Sequence, residues 1–398
     1  MRSFYFIISS DLFYGTKYAY KYILDKQVKE VPMNKGVKKY KVLVINPGST
    51  STAIAVYEGE KEVFFQTVRH SADELKKYKH LIEQNKFREN VILRLLDENK
   101  INIQEFDVIV GRGGVLSPIQ SGTYKINQLM LDELRERPRI EHASNLGAQI
   151  AYELAQKINV PSFIVDPVAV DEFEPIARIS GMPEIERESL SHALSVKAAA
   201  KRLAKEIGKP YETINLIVVH LGGGITVSAH QNGKMIDVNN ASGEGPFSPE
   251  RTGSLPIQAL INSCYSGQYS LKEMNKKIMG DGGIVAYLGT NNTLEVEKSI
   301  SKGNKKAELI YQAMAYQIAK CIGEMATVLK GKVDYVVITG NGAGDKGALG
   351  KTFVNWIKER VEFIAPVKTY PGSEEMKALA LGALRVLGGE ENAKEYNV

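Results

Sequence analysis

Two short apolar runs within residues 42–57 flank a polar turn. Residues 42–45 (Val-Leu-Val-Ile) lead into residues 46–52 (Asn-Pro-Gly-Ser-Thr-Ser-Thr), and residues 53–57 form a second β-rich run. This pattern predicts a strand, a turn and another strand. A dinucleotide-binding unit would instead carry a glycine fingerprint between a strand and a helix, so the pattern argues against a nicotinamide-dependent dehydrogenase.

The same arrangement returns about 175 residues later. Residues 216–219 lead into a glycine-rich turn at residues 220–224, and residues 225–229 follow as the next apolar run. Asn232-Gly233 then has the composition typical of a tight hairpin turn. Two such units predict an internal duplication, in which each copy presents one turn to a phosphate.

Amphipathic periodicity predicts helices between and after these strands. Residues 144–158 repeat apolar positions at helical spacing behind Ser144, which we expect to be the N-cap. Further helices are predicted at residues 191–207, 305–330 and 374–387, and further strands at residues 107–110, 163–165 and 333–339. The alternation of strands and helices is typical of an α/β fold.

The length of 398 residues suits two domains. We expect residues 40–188 to form the first domain and residues 189–373 the second, with the helix at residues 374–388 returning to the first. Residues 1–39 are expected to form an extension outside the core, to which we assign no function. The predicted fold class is α/β with two duplicated domains.

Charge and composition narrow the class of function. Residues 1–40 hold eight of the 51 basic side chains and three of the 46 acidic ones, so residues 41–398 carry 43 of each sign. A neutral body argues against a nucleic-acid partner. The sequence also lacks a run of eighteen apolar residues, which argues against a membrane span. Cys264 and Cys321 form no metal-ligand or disulfide pattern, and this suits the cytoplasm.

Three predicted strands end in glycine-rich turns, at Gly48, at residues 222–224 and at residues 340–344. Glycine allows backbone N–H groups to approach a phosphate closely. Three such turns on a duplicated frame therefore predict a nucleotide bound between two domains. Gly350-Lys351-Thr352 is not the end of a P-loop, because Asp345 stands where that motif requires glycine.

Charged and imidazole side chains accompany these turns. Arg112 and Arg251 stand near glycines, which leave a guanidinium group open to a ligand. Asp166 follows the predicted strand at residues 163–165, where a carboxylate suits a metal ion. Three histidines stand beside predicted helix starts or strand ends: His142, His192 and His220.

Four motifs, in their order along the chain, carry a family resemblance. They are residues 46–52, Gly111-Arg112-Gly113-Gly114, His220-Leu221-Gly222-Gly223-Gly224 and Ser248-Pro249-Glu250-Arg251-Thr252-Gly253. With them, residues 41–388 resemble the acetate and butyrate kinases, and Pro47 and Gly223 look more like the butyrate branch. The resemblance implies two duplicated actin-like ATPase domains of the ribonuclease H-like type, with a nucleotide cleft between them.

The resemblance also implies roles for individual residues. By position, the ATP contacts would be Asn46, Ser49, Ser51, His220, Gly222, Gly223, Gly224, Gly340, Gly342 and Gly344. The catalytic residues would be Arg112, Arg251, His192 and Asp166, and the acid would bind at His142 and Arg112. Mg²⁺ would contact Asp166 and either Glu374 or Glu375, two neighbours that the sequence does not separate. One departure is Ala53, which replaces a lysine of the acetate branch and removes any phosphate contact made by that lysine.

The reaction implied by the resemblance is reversible phosphoryl transfer between ATP and a short-chain fatty acid. Butyrate is the expected acid, while acetate, propionate and branched acids stay open. A sugar or glycerol kinase of the same superfold, and an actin-like ATPase without an acid substrate, are the alternatives. Paired arginines favour a carboxylate acceptor, because a guanidinium fork matches carboxylate and phosphoryl oxygens. The family further implies a homodimer or a larger assembly.

Overall fold

Two β-sheets that repeat one topology form the frame of the protein. The computed structural model describes residues 39–340, 350–372 and 374–397, and Tyr40–Val398 forms one compact unit. Apart from Lys39, the expected N-terminal extension therefore lies outside the described residues. Within the part of the chain that is described, no helix is long and apolar enough to cross a membrane.

The first sheet has seven strands in the order β12-β5-β6-β4-β1-β2-β3. Their bounds are β1 Lys41–Pro47, β2 Ser51–Glu58, β3 Lys61–Arg69, β4 Val108–Gly111, β5 Thr123–Lys125, β6 Ser162–Val165 and β12 Lys394–Glu395. The second sheet has five strands in the order β11-β10-β7-β8-β9. Their bounds are β7 Leu216–Leu221, β8 Ile225–Gln231, β9 Lys234–Val238, β10 Tyr335–Gly340 and β11 Val367–Pro371.

The duplication expected from the two strand–turn–strand patterns is visible in the strand pairing. In the first sheet β1, β2 and β3 form an antiparallel meander, and β4 and β6 continue the sheet in parallel from β1. In the second sheet β7, β8 and β9 form the same meander, and β10 and β11 continue it in parallel from β7. The turn between β1 and β2 (residues 48–50, the first turn) is thus equivalent to the turn between β7 and β8 (residues 222–224, the second turn).

Helices supply the crossovers that parallel strands require. Their bounds are α1 Ala72–Leu75, α2 Asn85–Glu98, α3 Gln128–Glu136, α4 Asn145–Ile158, α5 Pro175–Arg178, α6 Ala193–Ile207, α7 Ile257–Cys264, α8 Leu271–Ile278, α9 Gly283–Leu288, α10 Thr293–Ser301, α11 Lys305–Val328, α12 Lys351–Val361 and α13 Glu375–Leu387. Three short 3₁₀ turns lie at Leu81–Gln84, Ile103–Glu105 and Tyr211–Thr213.

The apolar faces of these helices cover both sheets. Leu379 and Ala383 of α13 pack with Val44 and Val110 of the first sheet, so the C-terminal helix lies on the N-terminal strands. Helices α11 and α12 pack on the second sheet in a separate cluster. The sheets are rigid supports as a result, and their strand ends carry the polar turns at fixed positions.

The structure confirms the predicted helices and strands to within a few residues, with one correction. Ser144 occupies the N-cap position of α4, but its side chain makes no capping hydrogen bond. Its hydroxyl group instead lies 2.8 Å from Nδ1 of His142. Helices α7 to α10, in residues 257–301, were not anticipated; they are only six to nine residues long, and few of their side chains are buried.

Candidate active site

Three polar side chains meet at the C-terminal ends of β1 and β4. Asn46 is the second-last residue of β1, Arg112 directly follows β4, and Glu375 is the first residue of α13. Oε2 of Glu375 accepts hydrogen bonds from Nδ2 of Asn46 at 3.1 Å and from Nη1 of Arg112 at 2.6 Å. Burial opposes ionisation of Glu375, but Arg112 and then His220 hold its pKa below the usual range. A guanidinium group and a carboxylate are thereby fixed side by side.

A close backbone approach fixes the position of Arg112. A Cβ on Gly111 would lie 2.1 Å from the carbonyl oxygen of Gly147 in α4, and a Cβ on Gly147 would lie 2.4 Å from the carbonyl oxygen of Arg112. Only glycine at both positions permits this contact between β4 and α4. The packing of α4 against residues 111–112 therefore fixes the backbone position from which the Arg112 side chain extends.

The second turn is packed against Arg251. A Cβ on Gly224 would lie 2.6 Å from Nη1 of Arg251 and 3.1 Å from Cε1 of His192. Nη1 of Arg251 also donates to the carbonyl oxygen of Ala241 at 2.8 Å. The hydroxyl of Ser248 donates to the carbonyl oxygen of Gly223 at 2.5 Å and holds the turn from the other side. The glycines bring the backbone and a guanidinium group into one small space.

His192 and His220 stack on each other beside this turn. Their ring centroids are 4.3 Å apart with an interplanar angle of 20°, and Nδ1 of His192 lies 2.8 Å from Oγ1 of Thr226. Burial lowers the pKa of His220 to about 4, with Arg112 and Arg251 adding to the effect against the opposing charge of Glu375. Burial also lowers the pKa of His192, as do His220, Arg251 and Arg112. Both rings are neutral at pH 7.

His142 lies within the field of the same two arginines. Burial lowers its pKa first, followed by Arg112 and Arg251. A cavity of about 290 Å³ adjoins His142, and its apolar lining includes Leu81, Leu134 and Leu146. The same lining also holds Arg135 and Glu141, so the cavity combines charged groups with apolar surface. A cavity of this kind suits a ligand with a carboxylate at one end and a hydrocarbon chain at the other.

Three buried nitrogen atoms around the cleft have no hydrogen-bond partner within the described ranges. They are Nε of Arg112, Nε of Arg251 and Nδ1 of His220. Leaving such groups unsatisfied is costly, so native structures normally give them a partner. Two belong to cations, and an anionic ligand with several oxygen atoms is the partner that they fit.

Asp166 has its own set of partners. Its Oδ1 accepts from Oγ of Ser121 at 2.6 Å and from the backbone N–H of Gly122 at 2.7 Å. Its Oδ2 lies 4.0 Å from Nζ of Lys201. The residue has a φ of 38°, in the left-handed region that a side chain other than glycine rarely adopts, so these contacts hold a strained position.

The structure separates the two neighbouring glutamates. Glu375 contacts Arg112 and Asn46, whereas Oε1 of Glu374 accepts from Nη1 of Arg202 at 2.7 Å. Among the residues described, no group of three or more His, Cys, Asp or Glu side chains is arranged to hold a metal ion. Mg²⁺ commonly binds through one or two carboxylates together with substrate phosphates. Glu375, whose Oε2 is held by Arg112 and Asn46, could serve as one such carboxylate through its other oxygen.

The remaining predicted nucleotide contacts lie at strand ends. Ser49 is exposed in the first turn and Ser51 is half-buried at the start of β2. Gly340 ends β10 at a φ of 106°, and a Cβ there would lie 2.3 Å from the carbonyl oxygen of Leu221. Gly342 and Gly344 lie outside the described residues.

Sequence reasoning missed three polar residues near the site. Oγ of Ser195 lies 3.5 Å from Oε1 of Glu375, and Thr226 orients His192. Arg88 is fully buried in α2 beneath the first turn. A signal for Arg88 existed, because it occupies the apolar face that Val91, Ile92 and Leu95 define at helical spacing.

A family model and a curated relative both match this chain to the acetate and butyrate kinases. Residues 186–358 match the family model of the acetokinase family. Butyrate kinase 2 of Clostridium acetobutylicum is 54% identical over 359 residues, which are 90% of this chain and 99% of that protein.

Two solved structures share the fold. The acetate kinase of Porphyromonas gingivalis superposes with a TM-score of 0.70 at 19% identity, over 87% of this chain and 100% of that one. A propionate kinase from Francisella tularensis superposes with a TM-score of 0.64 at 18% identity, over 86% of this chain and 98% of that one. Both share with this chain the two-sheet α/β frame described above.

Proposed function

This chain belongs to the acetokinase family, and we propose that it transfers the γ-phosphoryl group of ATP reversibly to the carboxylate of butyrate. The products are ADP and an acyl phosphate. The observation that carries the proposal is the pairing of Arg112 and Arg251, whose buried Nε groups lack protein partners among the described residues. The 54% identity with a butyrate kinase supports the choice of acid.

The chemistry requires charge stabilisation and no base. A fatty acid is ionised at pH 7, so its carboxylate is already the nucleophile. The difficulty is to bring that anion to an anionic γ-phosphate in line with the leaving oxygen. Arg112 would bind the carboxylate together with His142, and Arg251 would stabilise the transferring phosphoryl group. Removing one such positioned donor costs ~3–4 kcal/mol of activation free energy, or about 10²–10³ in rate.

Neutral histidines suit this arrangement. Because the pKa of His220 is lowered to about 4, its imidazole is an uncharged donor at pH 7. The same holds for His192, whose pKa is lowered by burial and by His220 and the two arginines. Each ring can donate one N–H to a phosphoryl oxygen without exchanging a proton with it. His192 would contact the transferring group, and His220 the bound nucleotide.

The nucleotide would lie between the two equivalent turns. Asn46, Ser49 and Ser51 would contact phosphates from the first sheet, and the glycines of the second turn from the other sheet. Gly340 and its neighbours Gly342 and Gly344 would contact the nucleoside end. Gly340 ends β10 beside Leu221 of β7, which places it next to the second turn.

Glu375 is the carboxylate that we propose for Mg²⁺. Among the described residues, its second oxygen, Oε1, has one hydrogen-bonding neighbour, Ser195 at 3.5 Å, whereas Glu374 is paired with Arg202 and Oδ1 of Asp166 accepts two hydrogen bonds. When bound, Mg²⁺ would bridge phosphate oxygens and offset their charge. Asp166, through its single remaining oxygen, would orient groups on the substrate side.

Acyl-hydroxamate formation tests the reaction and its acid. The enzyme is given ATP, Mg²⁺, hydroxylamine and, in turn, formate, acetate, propionate, butyrate, isobutyrate and isovalerate. We expect hydroxamate that depends on the acid and is formed fastest at four carbons, because the relative that is 54% identical over 90% of this chain is a butyrate kinase. A maximum at two carbons would move the chain to acetate. ATP turnover equal with and without acid would instead favour an ATPase module.

Assembly into a homodimer or larger oligomer is also proposed. Ile257 and Ile261 lie one turn apart on α7 and are 74% and 44% exposed, and Tyr265 just beyond it is 88% exposed. An exposed apolar face of this kind is typical of an interface. Light scattering should give at least twice the mass of the chain for the wild type, and Ile257→Asp should lower it. Cys264 is an exposed free thiol, which supports a reducing compartment such as the cytoplasm.

A further inference from the structure

Arg88 is a fully buried cation whose hydrogen-bond acceptors are all neutral. It lies in the middle of α2, and its relative exposure is 0%. The guanidinium makes six hydrogen bonds, and none goes to a carboxylate. The acceptors are the carbonyl oxygens of Gly48 (2.8 Å), Ser49 (3.2 Å) and Ser51 (2.8 Å), Oγ1 of Thr52 (3.1 Å) and Oε1 of Gln84 (2.9 and 3.1 Å).

Nearby charges do not neutralise Arg88. The carboxylate of Glu89, the next residue, is taken by Lys86 and Lys157. Burial lowers the pKa of Arg88 to about 10, which leaves the group charged at pH 7. Burying an uncompensated charge is expensive, so a structure that retains one gains something by it. The charge lies directly beneath the first turn.

The hydrogen bonds to Arg88 also set the orientation of the turn. Because a trans peptide directs its C=O and N–H groups in opposite directions, carbonyls drawn towards Arg88 turn the following N–H groups away from it. The carbonyls of Gly48 and Ser49 therefore direct the N–H groups of Ser49 and Thr50 outward. Both residues are exposed, and within the described structure neither N–H has a hydrogen-bond partner.

We propose that Arg88 is a positioning residue for nucleotide phosphate, holding the N–H groups of Ser49 and Thr50 outward as an anion-binding pair. The phosphate then supplies the negative charge that the protein does not place beside Arg88. Outward N–H groups over a buried cation form a site for an anion. This inference rests on the proposed function, because it takes the first turn to be one wall of the nucleotide cleft.

Binding of ATP and of adenosine, each measured by calorimetry, separates this role from a structural one. In Arg88→Gln we expect the Kd for ATP to rise about tenfold or more, since bonds to charged groups are the strong ones. The Kd for adenosine should stay within about twofold, because adenosine has no phosphate. Arg88→Lys keeps the positive charge but loses the planar set of N–H donors of the guanidinium group. Its Kd for ATP should therefore lie between those of the wild type and Arg88→Gln.

Glu89→Gln is the matched control. It removes a buried ionic group from the same helix without touching the first turn. It should lower the melting temperature, as the Arg88 variants do, and leave the Kd for ATP unchanged. Equal weakening of ATP and adenosine in Arg88→Gln, or no weakening of either, would overturn the inference.

A measurement on the wild type covers the case in which the Arg88 variants do not fold. ATP should protect the amides of Ser49 and Thr50 from hydrogen exchange, and adenosine should not. Unprotected amides in the ATP complex would overturn the inference equally. The proposed function fails in a different way, because a protein that binds ATP through this turn but forms no acyl phosphate would retain the role of Arg88.

Discussion

The first turn and the second turn occupy equivalent places in two copies of one topology, yet they are held by opposite means. The first turn is exposed at Ser49 and Thr50 and is anchored through its carbonyl groups to the buried Arg88. Among the residues described, no arginine or lysine side chain donates hydrogen bonds to the carbonyl groups of the second turn. Its last glycine, Gly224, is packed against Arg251 and His192.

This difference indicates a division of labour between the copies. A turn held from beneath leaves its outer surface free, and it suits binding of a phosphate that does not react. A turn packed against a guanidinium and an imidazole places charged and polar donors where a transferring group would pass. Duplication therefore supplied one frame twice, and the side chains around each turn specialised it.

Among the changes that test this difference between the two turns, the removal of Arg251 should lower activity most. Arg251→Ala should lower kcat by about 10²–10³, because a positioned donor to the transition state is lost. The Kd for ATP should change far less, since the rest of the nucleotide cleft is intact. Steady-state kinetics together with calorimetry measure both, and an unchanged kcat in a folded variant would exclude Arg251 from catalysis.

Acid should destabilise the second copy through its histidines. The folded-state pKa of His220 lies near 4, below the value of 6.5 that it has when unfolded. The unfolded state therefore takes up the proton first, and stability is lost as the pH falls from 6.5 towards 4, by about 3 kcal/mol for this group. Urea unfolding at pH 7, 6 and 5 measures the slope. His220→Gln should flatten it, and an equal slope in that variant would contradict the assignment.

Gly224→Ala should impair catalysis more than folding. The new Cβ would lie 2.6 Å from Nη1 of Arg251 and 3.1 Å from Cε1 of His192. Moving the guanidinium breaks its hydrogen bond to the carbonyl oxygen of Ala241, a loss of about 1 kcal/mol, whereas a displacement of about 1 Å can cost around 10² in rate. We expect a melting temperature lowered by a few degrees with a kcat reduced towards that of Arg251→Ala. A normal kcat would show that the contact has no functional role.

Gly48→Ala should have the smallest effect and is the counterpart of the previous change. A Cβ on Gly48 would approach only Ser51, with Oγ at 3.2 Å and the carbonyl oxygen at 3.6 Å. A shift of a few tenths of an ångström at the Ser51 hydroxyl relieves this contact and leaves the hydroxyl within reach of a phosphate, so both kcat and the Kd for ATP should stay within about twofold of wild type. A large loss here would mean that the two turns are equally crowded, against the comparison above.

Much of the frame was predictable because strand and helix patterns are local. The apolar runs at residues 42–45 and 216–219 and the Asn232-Gly233 turn led to the correct hairpins, and both residues of that turn have positive φ as expected. The helices within residues 257–301 were missed, since each is only six to nine residues long and spans too few turns for a periodic pattern to repeat. Ser144 occupies the N-cap position as predicted, but the sequence does not reveal that its hydroxyl contacts His142 and makes no capping hydrogen bond.

The sequence by itself determined the duplicated order of elements and the residue types at their ends, including Arg112, Arg251 and the glycines around them. Only the tertiary structure decided which neighbours face one another. Adjacent residues on a helix point about 100° apart, so Glu375 lies against Arg112 while Glu374 lies against Arg202. Arg88 is 40 positions from Gly48 in the chain, and packing of α2 beneath the first turn brings them together. Such pairings depend on where elements pack, which local patterns do not encode.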